Sequence, residues 1–149
     1  MADTDLIKLY SGKILELASD IPLTDRLEAP DATVRKRSPL CGSTVTVDIS
    51  VEDGRITGFG QDVKACALGQ ASAAILGQVV IGRTRAEIET ARDQLKAMLT
   101  EGGDVPDAPF GGYDVLLPAR DFKNRHASIL LALDATRDAI GEAEKKACA

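Results

Sequence analysis

Thr44-Val45-Thr46-Val47-Asp48-Ile49-Ser50-Val51, then Glu52-Asp53-Gly54-Arg55, then Ile56-Thr57-Gly58-Phe59-Gly60-Gln61, is the stretch that decides the fold class of this chain. The first run alternates apolar and polar residues, the pattern of a strand with one buried face and one wet face. Asp-Gly between two such runs is a strong hairpin signal. A turn centred between Asp53 and Gly54 sets Glu52 opposite Arg55 and, carried to the open end, Cys41 opposite Cys66. The same register sets Gly58 and Gly60 opposite Ile49 and Val47. Glycines inside a strand signal a bulge or the close approach of another element, so a slip of one residue is open. Paired thiols at the end of a sheet make a disulfide, a metal site or a sulfur-handling site.

One domain spanning 1–149 is expected at this length, with a core that needs no cross-links. Aromatic residues make up only 3% and tryptophan is absent, so the core must be built from Leu, Ile, Val and Ala. The formal net charge of −5 works against a nucleic-acid or anionic-membrane partner, because either polyanion repels it. Arg35-Lys36-Arg37 is a short basic cluster and reads as a solvated strand edge. No run approaches the roughly 18 apolar residues of a membrane span. The start, Met1-Ala2-Asp3-Thr4-Asp5, is acidic, the wrong sign for a targeting segment. A cytoplasmic protein is therefore expected, and there a cysteine pair is more often metal-binding or catalytic than a structural disulfide.

Residues 4–18 read as an amphipathic helix with Leu6, Tyr10, Ile14 and Leu17 on one stripe and Ile7 beside it. Pro22 and Pro30 mark a connector through Asp20–Ala32, and Thr33–Ser38 forms a short strand ahead of Pro39. After the hairpin, a helix rich in small residues starts near Cys66, although its interior Gly69 costs about 1 kcal/mol relative to alanine. Thr84-Arg85-Ala86-Glu87 is a capping box that opens a helix whose stripe is Ile88, Ala91, Leu95 and Met98. Gly102-Gly103 ends it. A loop through Asp104–Tyr113 leads to a last helix from about Asp121 to Lys145. Clustered strands followed by helices indicate an α+β domain: a small antiparallel sheet with helices on one face.

Cys66 is expected at a helix N-terminus, two residues after Lys64. Unpaired amides, the helix dipole and the lysine all favour its thiolate, which is both the nucleophile and the metal ligand. The competing reading is a small hydrophobe buried between sheet and helix. His126, the single histidine, shares a stripe with Ile129, Leu133 and Ile140. A lone histidine on an apolar face is ordinarily a core residue, and the cysteine pair is what makes it a candidate ligand. Where that helix end meets the hairpin mouth, Cys41, Cys66 and His126 are three ligands suited to zinc or to an iron–sulfur cluster, with no evident fourth. Cys148 sits at a chain end and reads as a bystander. There is no phosphate loop, no closely spaced Cys-x-x-Cys and no nucleophile elbow.

Taken together these residues resemble the iron–sulfur cluster assembly scaffold family of IscU/SufU type, also found as the N-terminal part of NifU. The carriers are Pro39-Leu40-Cys41-Gly42-Ser43, the Asp53-Gly54 turn, Cys66-Ala67-Leu68 and Arg125-His126-Ala127-Ser128-Ile129-Leu130, in that order and spacing. The resemblance implies an α+β fold with a three-stranded antiparallel sheet. It implies Cys41, Cys66 and His126 as ligands of a transient cluster or a zinc ion. It also implies sulfur delivery from a cysteine desulfurase and transfer of the cluster to iron–sulfur acceptor proteins. Two positions depart from the family pattern: Ser43 stands where an aspartate is usual, and Ala127 where a third cysteine is usual. Leu116-Leu117-Pro118-Ala119-Arg120 is only loosely similar to the chaperone-recognition segment of IscU-type members and lies farther from His126, so chaperone docking is not carried over.

The leading expectation is a scaffold or carrier, not an enzyme, that holds a transient cluster or metal ion through Cys41, Cys66 and His126. The alternative is a zinc-binding or metal-free partner-binding domain that kept the fold and lost assembly. A third reading makes Cys66 an acceptor and donor of sulfane sulfur.

Overall fold

The structure is a computed structural model that describes residues 11–39 and 42–148. Helix α1 (Gly12–Ser19) leads through a connector to strands β1 (Ala32–Arg37), β2 (Thr44–Glu52) and β3 (Arg55–Lys64). Helices α2 (Ala67–Val79) and α3 (Arg85–Thr100) follow. Two 3-10 segments, Phe110–Asp121 and Lys123–Arg125, then run into α4 (His126–Cys148). The strands form one antiparallel sheet in the order β1-β2-β3. Among the described residues no helix is long and apolar enough to cross a membrane.

Asp53 (φ 54°) and Gly54 (φ 76°) make the expected tight turn, and Glu52 pairs with Arg55 and Val51 with Ile56. Beyond that the register slips by one residue. Thr57 is left over as a bulge, so Gly58 opposes Ser50 and Gly60 opposes Asp48, not Ile49 and Val47. The core explains the slip. Ile56 and Phe59 are three residues apart and would face opposite sides of a regular strand, yet both are buried, at 1% and 3% exposure. The extra residue turns both inward.

The two glycines serve the other face. A Cβ on Gly60 would run into the Asp25 carbonyl oxygen, and one on Gly58 would crowd Ser50 and Leu27. Their absence lets the connector lie flat on the sheet. Asp48, fully buried, holds it there: its carboxylate takes a paired contact from the Arg26 guanidinium (Nη2–Oδ1 2.9 Å), the Leu27 N–H (3.1 Å) and the Thr33 hydroxyl (2.6 Å). The hydrogen bond from Arg26 keeps the Asp48 carboxyl below the usual carboxylate range, with smaller help from Thr33 and Leu27 against the opposing effect of burial.

Val45, Val47 and Ile49 of β2 point inward against α4, which crosses β1 and β2 and also packs on α2 and α3. The helices thus cover one face of the sheet, and the core is aliphatic and alanine-rich, as the composition required. Gln61 is the buried polar residue of β3, its Nε2 donating to the carbonyls of Pro22 and Ala73 at 3.1 Å each. The capping box is formed as read, with the Glu87 N–H donating to Thr84 Oγ1 and the Thr84 N–H to Glu87 Oε1, each at 3.2 Å.

Three boundaries differ from expectation. Helix α1 starts only at Gly12, because Ser11 (φ −58°, ψ 163°) is its N-cap and accepts the Ile14 N–H; Leu6, Ile7 and Tyr10 lie outside the described residues. Phe110–Asp121 is 3-10 helix, where a loop was expected through Tyr113 and α-helix only from about Asp121. The long last helix begins at His126 instead of Asp121, because Phe122 (φ −112°, ψ 75°) leaves helical geometry, and it runs on through Cys148.

Candidate functional site

Four element ends meet at one end of the sheet: the start of β2, the end of β3, the N-terminus of α2 and the N-terminus of α4. Ser43 lies just before β2 in a loop folded back on itself. The Ser38 N–H donates to the Ser43 carbonyl (2.8 Å) and the Gly42 N–H to the Ser38 carbonyl (2.9 Å), with Gly42 at φ +70°. Cys41 itself lies outside the described residues. The last described pair on this side is Thr44 with Lys64, one step off the unbulged register, so the register argument for Cys41 directly opposite Cys66 does not hold.

Cys66 is the N-cap residue of α2, as expected. Its backbone is extended (φ −66°, ψ 170°) and its carbonyl accepts the Gln70 N–H that starts the helix. The half-buried thiol is free and makes no capping bond. Instead its Sγ lies 3.6 Å from the hydroxyl of Ser128, in the first turn of α4. Ser128 Oγ is also 2.9 Å from Ser43 Oγ, and both serines are buried. One hydroxyl thereby joins the three motifs. Gly69 makes room for it: a Cβ there would sit 2.6 Å from Ser128 Oγ and 2.8 Å from the Ala65 Cβ. The glycine that weakens α2 as a helix is the one that lets α2 and α4 touch.

His126 is buried at 7% exposure and opens α4 two residues before Ser128. Its Nε2 is 2.9 Å from the Ala119 carbonyl. A carbonyl only accepts, so Nε2 carries the proton, and in the neutral ring the lone pair belongs to Nδ1. A hydrogen bond of this kind at one ring nitrogen fixes which histidine nitrogen is free to ligate. The Ala119 segment is itself held in place by Arg120, which donates to the carbonyls of Met98 (2.7 Å) and Gly103 (3.2 Å).

Among the described residues no three His, Cys, Asp or Glu side chains gather closely enough to hold a metal ion. Cys66 and His126 are the described members of the expected triad. Ala127 adds no donor, and Ser43 supplies a neutral hydroxyl. The serine pair was not singled out as part of the site from sequence; the available signal was two small hydroxyl residues inside two of the motifs.

Comparison with known proteins gives the frame a relationship. The NifU-like N terminal domain matches residues 9–148. An N-terminal NifU-like protein of Brucella abortus, described as nitrogen-fixing, superposes with a TM-score of 0.91 at 43% identity, over 95% of this chain and 98% of that one. The iron–sulfur cluster assembly scaffold protein IscU of Thermotoga maritima is 24% identical over 134 residues, covering 89% of this chain and 92% of its own. FiSufU of the SUF system from Fervidobacterium islandicum AW-1 shares the fold, with a TM-score of 0.79 at 18% identity over 90% of this chain and 98% of that one. The match runs nearly end to end, and this chain therefore belongs to the NifU-like N terminal domain family.

Proposed function

We propose that this protein is a scaffold or carrier in iron–sulfur cluster assembly, holding a transient cluster or metal ion through Cys41, Cys66 and His126. Sulfur comes from a cysteine desulfurase, and the finished cluster passes to acceptor proteins in the cytoplasm. The observation that carries this reading is the contact of Cys66 with Ser128, which joins the N-termini of α2 and α4 beside the loop that leads from Cys41. Membership of the family supports it, as does likeness to a relative named as an assembly scaffold. With few protein ligands the site is open, which suits a protein that must release its cargo. Anaerobic reconstitution with ferrous iron and sulfide tests it. Native protein gains visible absorption that Cys41→Ala and Cys66→Ala lose. No metal and no absorption in native protein would overturn it.

One observation favours a second reading, a zinc-binding or metal-free partner-binding domain. Ser43 and Ser128 close on each other where a ligand carboxylate would otherwise stand. Elemental analysis of protein purified without oxygen separates the two. Tight stoichiometric zinc, or no metal with folding unchanged by chelator, supports the second.

A further inference from the structure

The outer face of the sheet is divided. Its lower half, the rows of Asp48 with Gly60 and Ser50 with Gly58, lies under the connector, as the two glycines permit. Its upper half adjoins the Cys66 end and is left open by the described residues. There Arg35, Thr46 and Asp62 form one cross-strand row, and Arg37, Thr44 and Lys64 the next. Directly opposed residues on antiparallel strands point to the same face, about 5 Å apart per strand. Arg35, Lys64, Thr44, Thr46 and Asp62, with Arg26, line a shallow concavity there.

The basic triplet of β1 is split by strand alternation. Lys36 turns inward and pairs with Asp138 of α4 at 2.5 Å, whereas Arg35 and Arg37 face outward and are exposed. Arg26 is already neutralised by Asp48. Arg35, Arg37 and Lys64 make no ion pair among the described residues, in a chain whose net charge is −5. Among the described residues that line the concavity Asp62 is the one carboxylate, and it makes no ion pair. Three unpaired cations over a floor of threonine hydroxyls offer donors at a spacing that suits successive carboxylates on an extended strand.

We propose that this trough is a docking surface for an acidic, extended segment of a partner protein, seated on Arg35, Arg37 and Lys64 and so presented beside Cys66. The charge distribution selects the partner: an acidic segment is attracted here and repelled by the rest of the chain, which fixes its place on the molecule. Lys64 is two residues from Cys66, so a bound segment borders the sulfur. This surface stands apart from the cluster reading and does not depend on it.

A fluorescein-labelled peptide of eight glutamates, titrated by anisotropy at low ionic strength, is the probe. Native protein binds it, and added salt weakens the binding steeply. Arg35→Glu with Lys64→Glu weakens binding about tenfold or more. The control, Lys13→Glu with Lys96→Glu, makes the same change in net charge at exposed lysines on α1 and α3 and weakens it no more than about threefold. No binding to native protein, or equal loss in both double variants, overturns the proposal. So does a single-stranded oligonucleotide of equal charge that outcompetes the peptide, because the trough then selects phosphate over carboxylate. Circular dichroism of each variant confirms the fold.

Discussion

The hydroxyls of Ser43 and Ser128 lie 2.9 Å apart, although 85 residues separate them in the chain. Both side chains are buried. Ser43 occupies the position where the resemblance implies an aspartate, so a charged donor has been exchanged for a neutral bond between two elements. An ionised carboxylate in this place would need a cation or a metal, whereas two hydroxyls satisfy one another.

Ser128→Ala removes the bond to Ser43 and the contact to Cys66. The expected cost is about 1–3 kcal/mol, typical of losing one partner of a buried polar pair. Urea unfolding measures it. The double variant Ser43→Ala/Ser128→Ala costs less than the two single changes together, because the bond between them is counted in both single changes but lost only once. Strict additivity would show that the contact contributes nothing.

Ser43→Asp restores the carboxylate and sets stability against metal binding. Without metal the buried charge lowers the melting temperature by several degrees, since about 1 kcal/mol moves a domain of this size by a few degrees. With zinc the same carboxylate adds a ligand, so affinity in a competition with a chelating dye rises. Unchanged affinity would place Ser43 away from any ion at this site.

Gly69→Ala tests the close approach of α2 and α4. Helix propensity alone favours alanine by about 1 kcal/mol. The new methyl would meet Ser128 Oγ at 2.6 Å and the Ala65 Cβ at 2.8 Å, so the sign reverses and the variant is less stable than native by about 1–3 kcal/mol. Ser128→Ala in the same chain recovers part of the loss, because one of the two clashes goes. A stabilised Gly69→Ala in thermal unfolding would mean the helices have slack here.

Sequence was most informative where local rules act. The Asp53-Gly54 turn, the Thr84–Glu87 cap and the inward set Val45, Val47 and Ile49 of β2 each follow from a few neighbouring residues, and the structure follows them. The polar side of β2, by contrast, is not all wet, since Asp48 is buried under the connector. The helix start at Cys66 follows in the same way. The bulge at Thr57 was legible only as two glycines, since its cause is the demand that both Ile56 and Phe59 reach the core. The 3-10 run Phe110–Asp121 was missed because its geometry depends on long-range anchors, among them Arg120 bound to the carbonyls of Met98 and Gly103. Cys66 and His126 were singled out by residue type, and the structure sets them at the N-termini of α2 and α4. The Ser43–Ser128 contact was not, because two serines acquire meaning only from the packing that joins them.

Asp48 predicts a pH dependence of stability. Its carboxyl is held below the usual value in the fold by Arg26, Thr33 and the Leu27 amide, and returns to about 3.9 when the chain unfolds. A depressed folded value means that the stabilisation is complete well above that unfolded value. It is lost as pH falls below it and through the folded value. Urea midpoints of native protein should therefore drop below about pH 4 more steeply than those of Asp48→Asn. At neutral pH Asp48→Asn is less stable by about 1–3 kcal/mol, because Arg26, Leu27 and Thr33 lose a charged acceptor. Parallel pH profiles for the two proteins would show that other carboxylates govern the acid limb.

His126 separates ligation from architecture through its two nitrogens. The Nε2–H donates to the Ala119 carbonyl, and Nδ1 keeps the lone pair that the proposed ligation would use. In His126→Gln the side-chain amide nitrogen reaches about as far as Nε2 and can keep the bond to Ala119, but nothing replaces Nδ1. Stability should then stay within about 1 kcal/mol of native, while iron or zinc retained after reconstitution and gel filtration falls. His126→Ala loses both, so its unfolding midpoint drops as well, by about 1–3 kcal/mol for a buried acceptor left unpaired. If His126→Gln holds metal as native protein does, Nδ1 is not a ligand, and the imidazole serves only to fasten the 3-10 segment to α4.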